Sequence, residues 1–444
     1  MSQSADRRTV HLLGTTLEGG GQLIRLALSF SSLSCIPVHI TRIRGGRPGG
    51  GGLKSQHLRA VTWLAQACGA RLRGADKGSQ ELDFQPSNTP VATLDNVEGG
   101  VGNTLRTDVK LAREENIRHV TIDQATPGSI GLVLQAVLPF LIFCGASDEP
   151  GSAIETSRPA LIKLTIQGGT NVSFSPSYEY ISQVLLPTLQ LIGVPPISAS
   201  LHSRGWTHGP QKVGSVDFLI TPFQRGATLP AFELQDRGAL ESIHVSLLAP
   251  ETIRKHLRRE VTDALEDVFP TADVHMAVDE DSESPKRLYL LLVAETSGGH
   301  RLGRDWLYDE KITDPSAAGR KLVRRVVREL EAELLNVDGD ERGGACMDEY
   351  MQDQLVVFQA LAKGNCRVNG GDQEGPGAAN TSRREIAKRP SLHTKTAHWV
   401  ASQVLGVEFD KDGNCQGVGF VVGEDYSQRA RAAELVPAVK ELKV

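Results

Sequence analysis

One pattern recurs three times in this 444-residue chain: an amphipathic helix that stops at a glycine and is followed by strand-like residues. In "QHLRAVTWLAQACGARLRG", Leu58, Val61, Leu64, Ala65 and Cys68 fall at helical spacing before Gly69. In "YISQVLLPTLQLIGV", Ile181, Val184, Leu185, Leu189 and Ile192 do so before Gly193. In "TAHWVASQVLGVEFD", Ala397, Val400, Ala401 and Val404 precede Gly406. Glycine can take the left-handed conformation that closes a helix. The segments "LDFQP", "SVDFLI" and "GVGFVVG" then read as strands. A helix–Gly–strand–strand unit used three times predicts a repeated α+β architecture with helices packed on sheets.

A region of different character interrupts the series. "DEDSESPKR" (Asp279–Arg287) reads as an acidic loop, and "SAAGRKLVRRVVRELEAELLNV" (Ser316–Val337) as a long charged amphipathic helix. Residues 237–340 are expected to be an inserted α/β domain, and residues 1–236 and 341–444 the main domain around it. "NGGDQEGPGAANTSRREIAKRP" within the main domain has few large apolar residues, so 369–390 reads as a mobile loop. The most apolar run, "GLVLQAVLPFLIFCGA", contains Gln and Pro and is short for a membrane span; it predicts a buried core helix.

The net charge, 48 − 53 = −5, argues against a protein that coats nucleic acid, so any contact with it must be local. Six scattered cysteines without a CxxC pair argue against a zinc site or a disulfide framework. The N-terminus has no apolar run long enough for a signal peptide. These features predict an intracellular protein with no membrane association.

Several segments could carry chemistry. "LEGGGQLIRLALSFSSL" sets three glycines before a helix, flanked by Glu18 and Arg25; such bare backbone can approach an anion or make a tight turn. "RIRGGRPGGGGLKSQH" holds Arg42, Arg44 and Arg47 in a glycine-rich segment, either as phosphate forks or as a solvated loop. "GGTNVSFSPSYEY" leads to a helix capped by Ser175 or Ser177. In "CMDEYMQDQLVVFQALAKG", Asp348 and Glu349 suit a helix start, and Tyr350, Asp353 and Gln354 share one face. "SLHTKTAHWV" holds two histidines five residues apart, whereas ligands on a helix prefer three or four, so zinc is not expected. His398 falls within the amphipathic helix and reads as structural. His393 stands just before that helix, where a neutral imidazole can serve as nucleophile or base.

The ordered set "EGGGQLIR", "RIRGGRPGGGGLKSQHL", "PGSIGLVLQAVLP", "GGTNVSFSP", "LVAETSGG", "DEYMQDQL" and "SLHTKTA" resembles the RNA 3′-terminal phosphate cyclase family across most of the chain. The resemblance implies repeated units of two helices on a four-stranded sheet, with a smaller inserted α/β domain. It implies a ligase-class enzyme that uses ATP and a divalent metal, magnesium or manganese. His393 would form a histidine–AMP intermediate with release of pyrophosphate. AMP would pass to an RNA 3′-phosphate, and a 2′,3′-cyclic phosphodiester would form. By the same resemblance, Gln135, Pro176, Tyr350, Asp353 and Gln354 match nucleotide-contacting positions. Arg25, Arg44, Arg47 and Gln56 match the substrate or phosphate cleft, and Glu18 is the carboxylate expected near the metal. The expected partners are RNA 3′-phosphate ends and ATP, with no stable protein partner; the expected location is nuclear (nucleoplasm), with the cytoplasm as the alternative.

The chain departs from the family pattern at Leu13, at the turn "GWTHGPQKVGSV" and in the length of the 369–390 loop. Two other classes of reading stand beside the enzyme: a nonenzymatic cyclase-like ribosome-assembly factor, and a plain α+β scaffold. The presence of His393, Tyr350, Asp353 and Gln354 favours the enzyme.

Overall fold

The computed structural model describes residues 9–47, 50–87, 111–112, 117–145, 161–334, 344–371 and 390–426. The first sheet is formed by β1 (Val10–Leu13), β2 (Val38–Thr41), β3 (Arg71–Arg73) and β4 (Leu82–Gln85), with α1 (Gly21–Ser34) and α2 (Ser55–Ala67) between its strands. Its order is β1-β2-β4-β3, parallel between β1 and β2 and antiparallel elsewhere. A second sheet follows: β5 (Leu111–Ala112), β6 (Ile117–Asp123), α3 (Ile130–Phe143), β7 (Leu161–Gly168), α4 (Tyr178–Tyr180), a π turn over Ile181–Leu185, α5 (Leu186–Leu191), β8 (Ile197–Ser203) and β9 (Gly214–Ile220). Apart from β5 at its edge, its order β6-β7-β9-β8 and its strand directions match those of the first sheet.

After β10 (Glu233–Leu234) comes a third sheet, β11 (Leu240–Ala249), β12 (Asp273–Asp281), β13 (Tyr289–Thr296) and β14 (Arg301–Leu307), ordered β12-β11-β13-β14. It carries α6 (Glu251–Val268) and α7 (Pro315–Leu334). The chain then makes α8 (Glu349–Leu361), β15 (Lys363–Val368), α9 (Leu392–Leu405) and β16 (Cys415–Val418), with a small sheet ordered β10-β15-β16. The class is mixed α+β.

Local expectations fare unevenly. Gly69, Gly193 and Gly406 all take positive φ, at +59°, +93° and +73°, so the three helices end as their sequences indicate. The apolar run beginning at Gly131 forms the buried helix α3, which ends at Phe143, and the charged amphipathic segment forms α7 as far as Leu334. Ser177, not Ser175, caps α4 by accepting from the Tyr180 amide. The acidic segment at Asp279 is not wholly a loop: pairing with β11 carries β12 through Asp281. "GVGFVVG" is strand only as far as Val418, after which Gly419 turns at φ +62°. His393 lies inside the first turn of α9 rather than before it. The 369–390 loop falls almost entirely outside the described residues.

Helix α1 is buried along all fourteen of its residues. Its small serines permit this, since α2, α3 and α9 all pack against it. Burial on every side fixes the helix, and with it the polar Gln22 and Arg25 near its start. The third sheet has its own core, in which Leu290, Leu292 and Ala294 of β13 pack with α6 and α7 residues such as Leu257 and Leu322. Alternate residues of the same strand, Tyr289, Leu291 and Val293, face the other way into a smaller cluster with Tyr180, Val184 and Trp206. A strand apolar on both faces thus joins the third sheet to the rest.

Asp348 makes the polar counterpart of that joint. Fully buried, it caps α8: its Oδ1 accepts from the Tyr350 and Met351 amides, both at 2.9 Å, and from Tyr180 Oη at 2.7 Å. Its Oδ2 accepts from the Gly303 amide of β14 at 2.7 Å. Replacing it with alanine removes a cap and strands buried donors. Asp348→Ala is therefore expected to cost about 3 kcal/mol in urea unfolding. Asp348→Asn keeps the three bonds to one oxygen but turns an NH2 toward the Gly303 amide, and is expected to cost less than the alanine.

Candidate active site

A cavity of about 320 Å³ opens where α1, α3, α8 and α9 meet the 172–177 segment and the end of β14. Arg25, Gln135, Pro176, Tyr350, Asp353, Gln354 and His393 all line it. Each is there for a local reason. Tyr350, Asp353 and Gln354 share one face of α8, whose first turn Asp348 holds. Pro176 lies directly on α3 because residue 131 is glycine: a Cβ there would sit 2.6 Å from the Pro176 carbonyl oxygen. His393 is the second residue of α9, fixed by Ser391, whose Oγ accepts from the Thr394 amide at 3.1 Å.

Asp353 is the hub. Its Oδ2 accepts from the side-chain amides of Gln22, of Gln354 at 3.1 Å and of Gln135 at 3.4 Å. Gln135 in turn accepts from Arg25 Nε at 2.6 Å. Because the Gln22 amide nitrogen donates to the carboxylate, its Oε1 faces His393, and His393 Nδ1 lies 2.5 Å from it. An amide oxygen only accepts, so Nδ1 carries the proton. The lone pair is then on Nε2. The chain carboxylate–amide–imidazole thus selects one tautomer.

Burial pushes the Asp353 carboxyl up to about 7, against the pull of Arg25 and the amide donors. Burial also lowers the Arg25 guanidinium to about 10. His393 is open to solvent on one side. Even so, the protein around its ring, then Arg25 and Arg47, hold it below its ordinary 6.5, with Glu349 opposing. It is neutral at pH 7.

The remaining sequence-selected residues lie beside this cavity and do not line it. Glu18 is paired with Arg47 and accepts from the Gly20 amide at 2.7 Å. Its own amide donates to Thr396 Oγ1 at 3.2 Å, which ties the glycine turn to α9. Arg44 is buried and donates to the Gly52 carbonyl at 3.3 Å. Gln56 opens α2 next to Gly128. Among the described residues no three His, Cys, Asp or Glu side chains form a metal-holding group. Glu18 alone fits a hard divalent ion only if phosphate oxygens and water supply most of its ligands.

Sequence reading passed over three residues. Gln22 was legible as a large polar residue three before Arg25, on a helix whose other polar residues are small serines. His57 is buried and pushed down to about 3 by burial and by Arg25, Arg44 and Lys54, so it stays neutral among those cations. Asp305, a charge in the interior of β14, brings the third sheet into the cavity wall. It accepts from Tyr289 Oη at 2.9 Å, and burial raises it to about 6. Arg304 lies over the Tyr350 ring, 4.7 Å from its centroid, and Tyr180 meets that ring edge-on. His398 stacks on Phe409 at 4.0 Å, in keeping with a structural role.

Comparison with known proteins adds an independent observation. The sequence model of the RNA 3′-terminal phosphate cyclase family matches residues 16–411. A Methanosarcina mazei protein named RNA 3′-terminal phosphate cyclase is 28% identical, over 90% of this chain and 96% of its own length. A Drosophila melanogaster protein of that name is 28% identical, over 92% and 96%. One from Methylococcus capsulatus is 32% identical, over 79% and 83%.

The electrostatics of His393 are open to direct measurement. In an NMR titration its ring is expected to protonate below pH 6.5. Arg47→Ala removes one of the cations acting on it and should move the midpoint upward; an unchanged or lower midpoint would contradict this account.

Proposed function

The chain belongs to the RNA 3′-terminal phosphate cyclase family, and on that premise we propose that it converts RNA 3′-phosphate ends to 2′,3′-cyclic phosphodiesters at the expense of ATP. His393 Nε2 attacks the α-phosphorus of ATP. A P–N bond forms, the bond to the bridging oxygen breaks and pyrophosphate leaves. An oxygen of the RNA 3′-phosphate then attacks the same phosphorus; the P–N bond breaks and the imidazole is released. Finally the vicinal 2′-hydroxyl, losing its proton, attacks the RNA phosphorus and expels AMP. Covalent transfer through imidazole divides one hard substitution into easier ones. This is ligase-class chemistry, with ATP ending as AMP and pyrophosphate.

The observation that carries the reading is the Asp353–Gln22–His393 chain, which presents an unprotonated Nε2 on the wall of a cavity that also holds Tyr350 and Pro176. In this proposal Pro176 and Tyr350 flank the adenine, and Gln135, Asp353 and Gln354 contact the nucleotide. Arg25, Arg44, Arg47 and Gln56 hold the phosphates of ATP and of the RNA end. A divalent magnesium or manganese ion near Glu18 would offset phosphate charge. Residues 1–236 and 341–444 form the catalytic domain, with the first two sheets as copies of one two-helix, four-strand unit and 237–340 as the inserted domain. What supports this division is the shared strand order of those sheets and the separate core of the third.

Among the described residues no helix is long and apolar enough to cross a membrane. The family extends across archaea, bacteria and an insect, so membership fixes no compartment. A nuclear location belongs to the proposal, and imaging of the tagged chain in cells tests it.

ATP with a radioactive α-phosphate tests the mechanism. Wild type should acquire an acid-labile, base-stable label, and His393→Ala none. No label on wild type with metal and saturating ATP would sink the enzyme reading in favour of a nonenzymatic assembly factor. Gln22→Leu should label about tenfold to a hundredfold more slowly with little change in ATP KM, because it frees the imidazole's orientation without touching nucleotide.

A further inference from the structure

Phe174 is 96% exposed, the most exposed large apolar side chain among the described residues. Its φ of +59° places a bulky residue in the left-handed region. Such strain persists only where the surroundings impose it, and it gathers at ligand-binding segments. The ring borders the cavity that His393 and Pro176 line. Beside it, Ser173 also borders that cavity, and its buried Oγ has no hydrogen-bond partner among the described residues. A lone exposed apolar residue needs no explanation; one held in a disfavoured backbone at the mouth of a reactive cavity does.

We propose that Phe174 is a stacking platform for a nucleobase at the 3′ end of the RNA strand, set at the mouth of the His393 cavity. The inference rests on the cyclase reading above. That reading puts adenine inside the cavity against Pro176 and Tyr350, and a ring almost wholly in solvent is no part of that inner wall. To bring its terminal phosphate to a phosphorus on His393, the strand must pass the mouth, and its last bases pass with it. Aromatic stacking suits this task because every base has a π face and the contact tolerates any sequence. Leu392, 57% exposed and next to His393, adds apolar surface by the nucleophile.

The test uses RNA oligonucleotides ending in a 3′-phosphate, either intact or abasic at the last two nucleotides. Binding is read by fluorescence anisotropy, and self-adenylation is followed in parallel with labelled ATP. Phe174→Ala should weaken intact RNA on the order of tenfold, and Phe174→Trp should restore it. The abasic strand should bind both proteins equally, and the labelling rate should not change. Unchanged RNA affinity in Phe174→Ala, or an equal loss with abasic RNA, overturns the proposal. A parallel loss of labelling also overturns it and places the ring on adenine instead. If wild type takes no label yet Phe174→Ala still loses base-dependent RNA binding, the enzymatic reading fails and the stacking role stands.

Discussion

The carboxylate of Asp348 is the point on which the site hangs. It gathers four donors from three places: the first turn of α8, the phenol of Tyr180 and the amide of Gly303 on β14. All four are donors, so the position calls for a group that only accepts, and an ionised carboxylate does that with both oxygens. Burial, with Glu333 nearby, raises its pKa to about 6, so the charge is held at a cost that the four hydrogen bonds offset. Because α8 carries Tyr350, Asp353 and Gln354, the orientation of these three side chains follows from this cap.

The second organising feature is that buried opposite charges are kept apart by amides. Arg25 bonds Gln135, and Gln135 bonds Asp353. Gln22 likewise stands between Asp353 and His393. An amide is a donor at one end and an acceptor at the other, so it transmits direction without carrying charge. Burial shifts both charged partners toward neutrality, Arg25 to about 10 and Asp353 to about 7, and their mutual attraction only partly opposes it. A direct carboxylate–imidazole contact would have raised the histidine instead and favoured its protonated, unreactive form.

What the sequence made legible was what local physics controls. The left-handed glycines, the buried helix α3, the amphipathic α7 and the shared face of Tyr350, Asp353 and Gln354 each depend on residues within two or three turns. The distinction between His398 and His393 was equally local, since one lies in the apolar stripe and the other at the helix start. Gln22 escaped because its partners, Asp353 and His393, are 331 and 371 residues away. Asp305 escaped because nothing in a single strand says that the third sheet closes a cavity built by the other elements. The extension of β12 into the acidic segment was set by its neighbour β11, and the early end of β16 by Gly419. The family was legible too, in the order of seven motifs along the chain, and the match over residues 16–411 bears it out.

Strand β13 has a further consequence for how such a chain can change. Covalently, the third sheet with α6 and α7 lies between the second sheet and α8 and has a core of its own. Thermodynamically it is not detachable, since one face of β13 fills its own interior and the other fills a cluster with Tyr180, Val184 and Trp206. Excising it would uncover an oily face and leave the Asp348 carboxylate without its Gly303 donor. The loops at its rim can therefore change length far more freely than the sheet can be lost or transplanted.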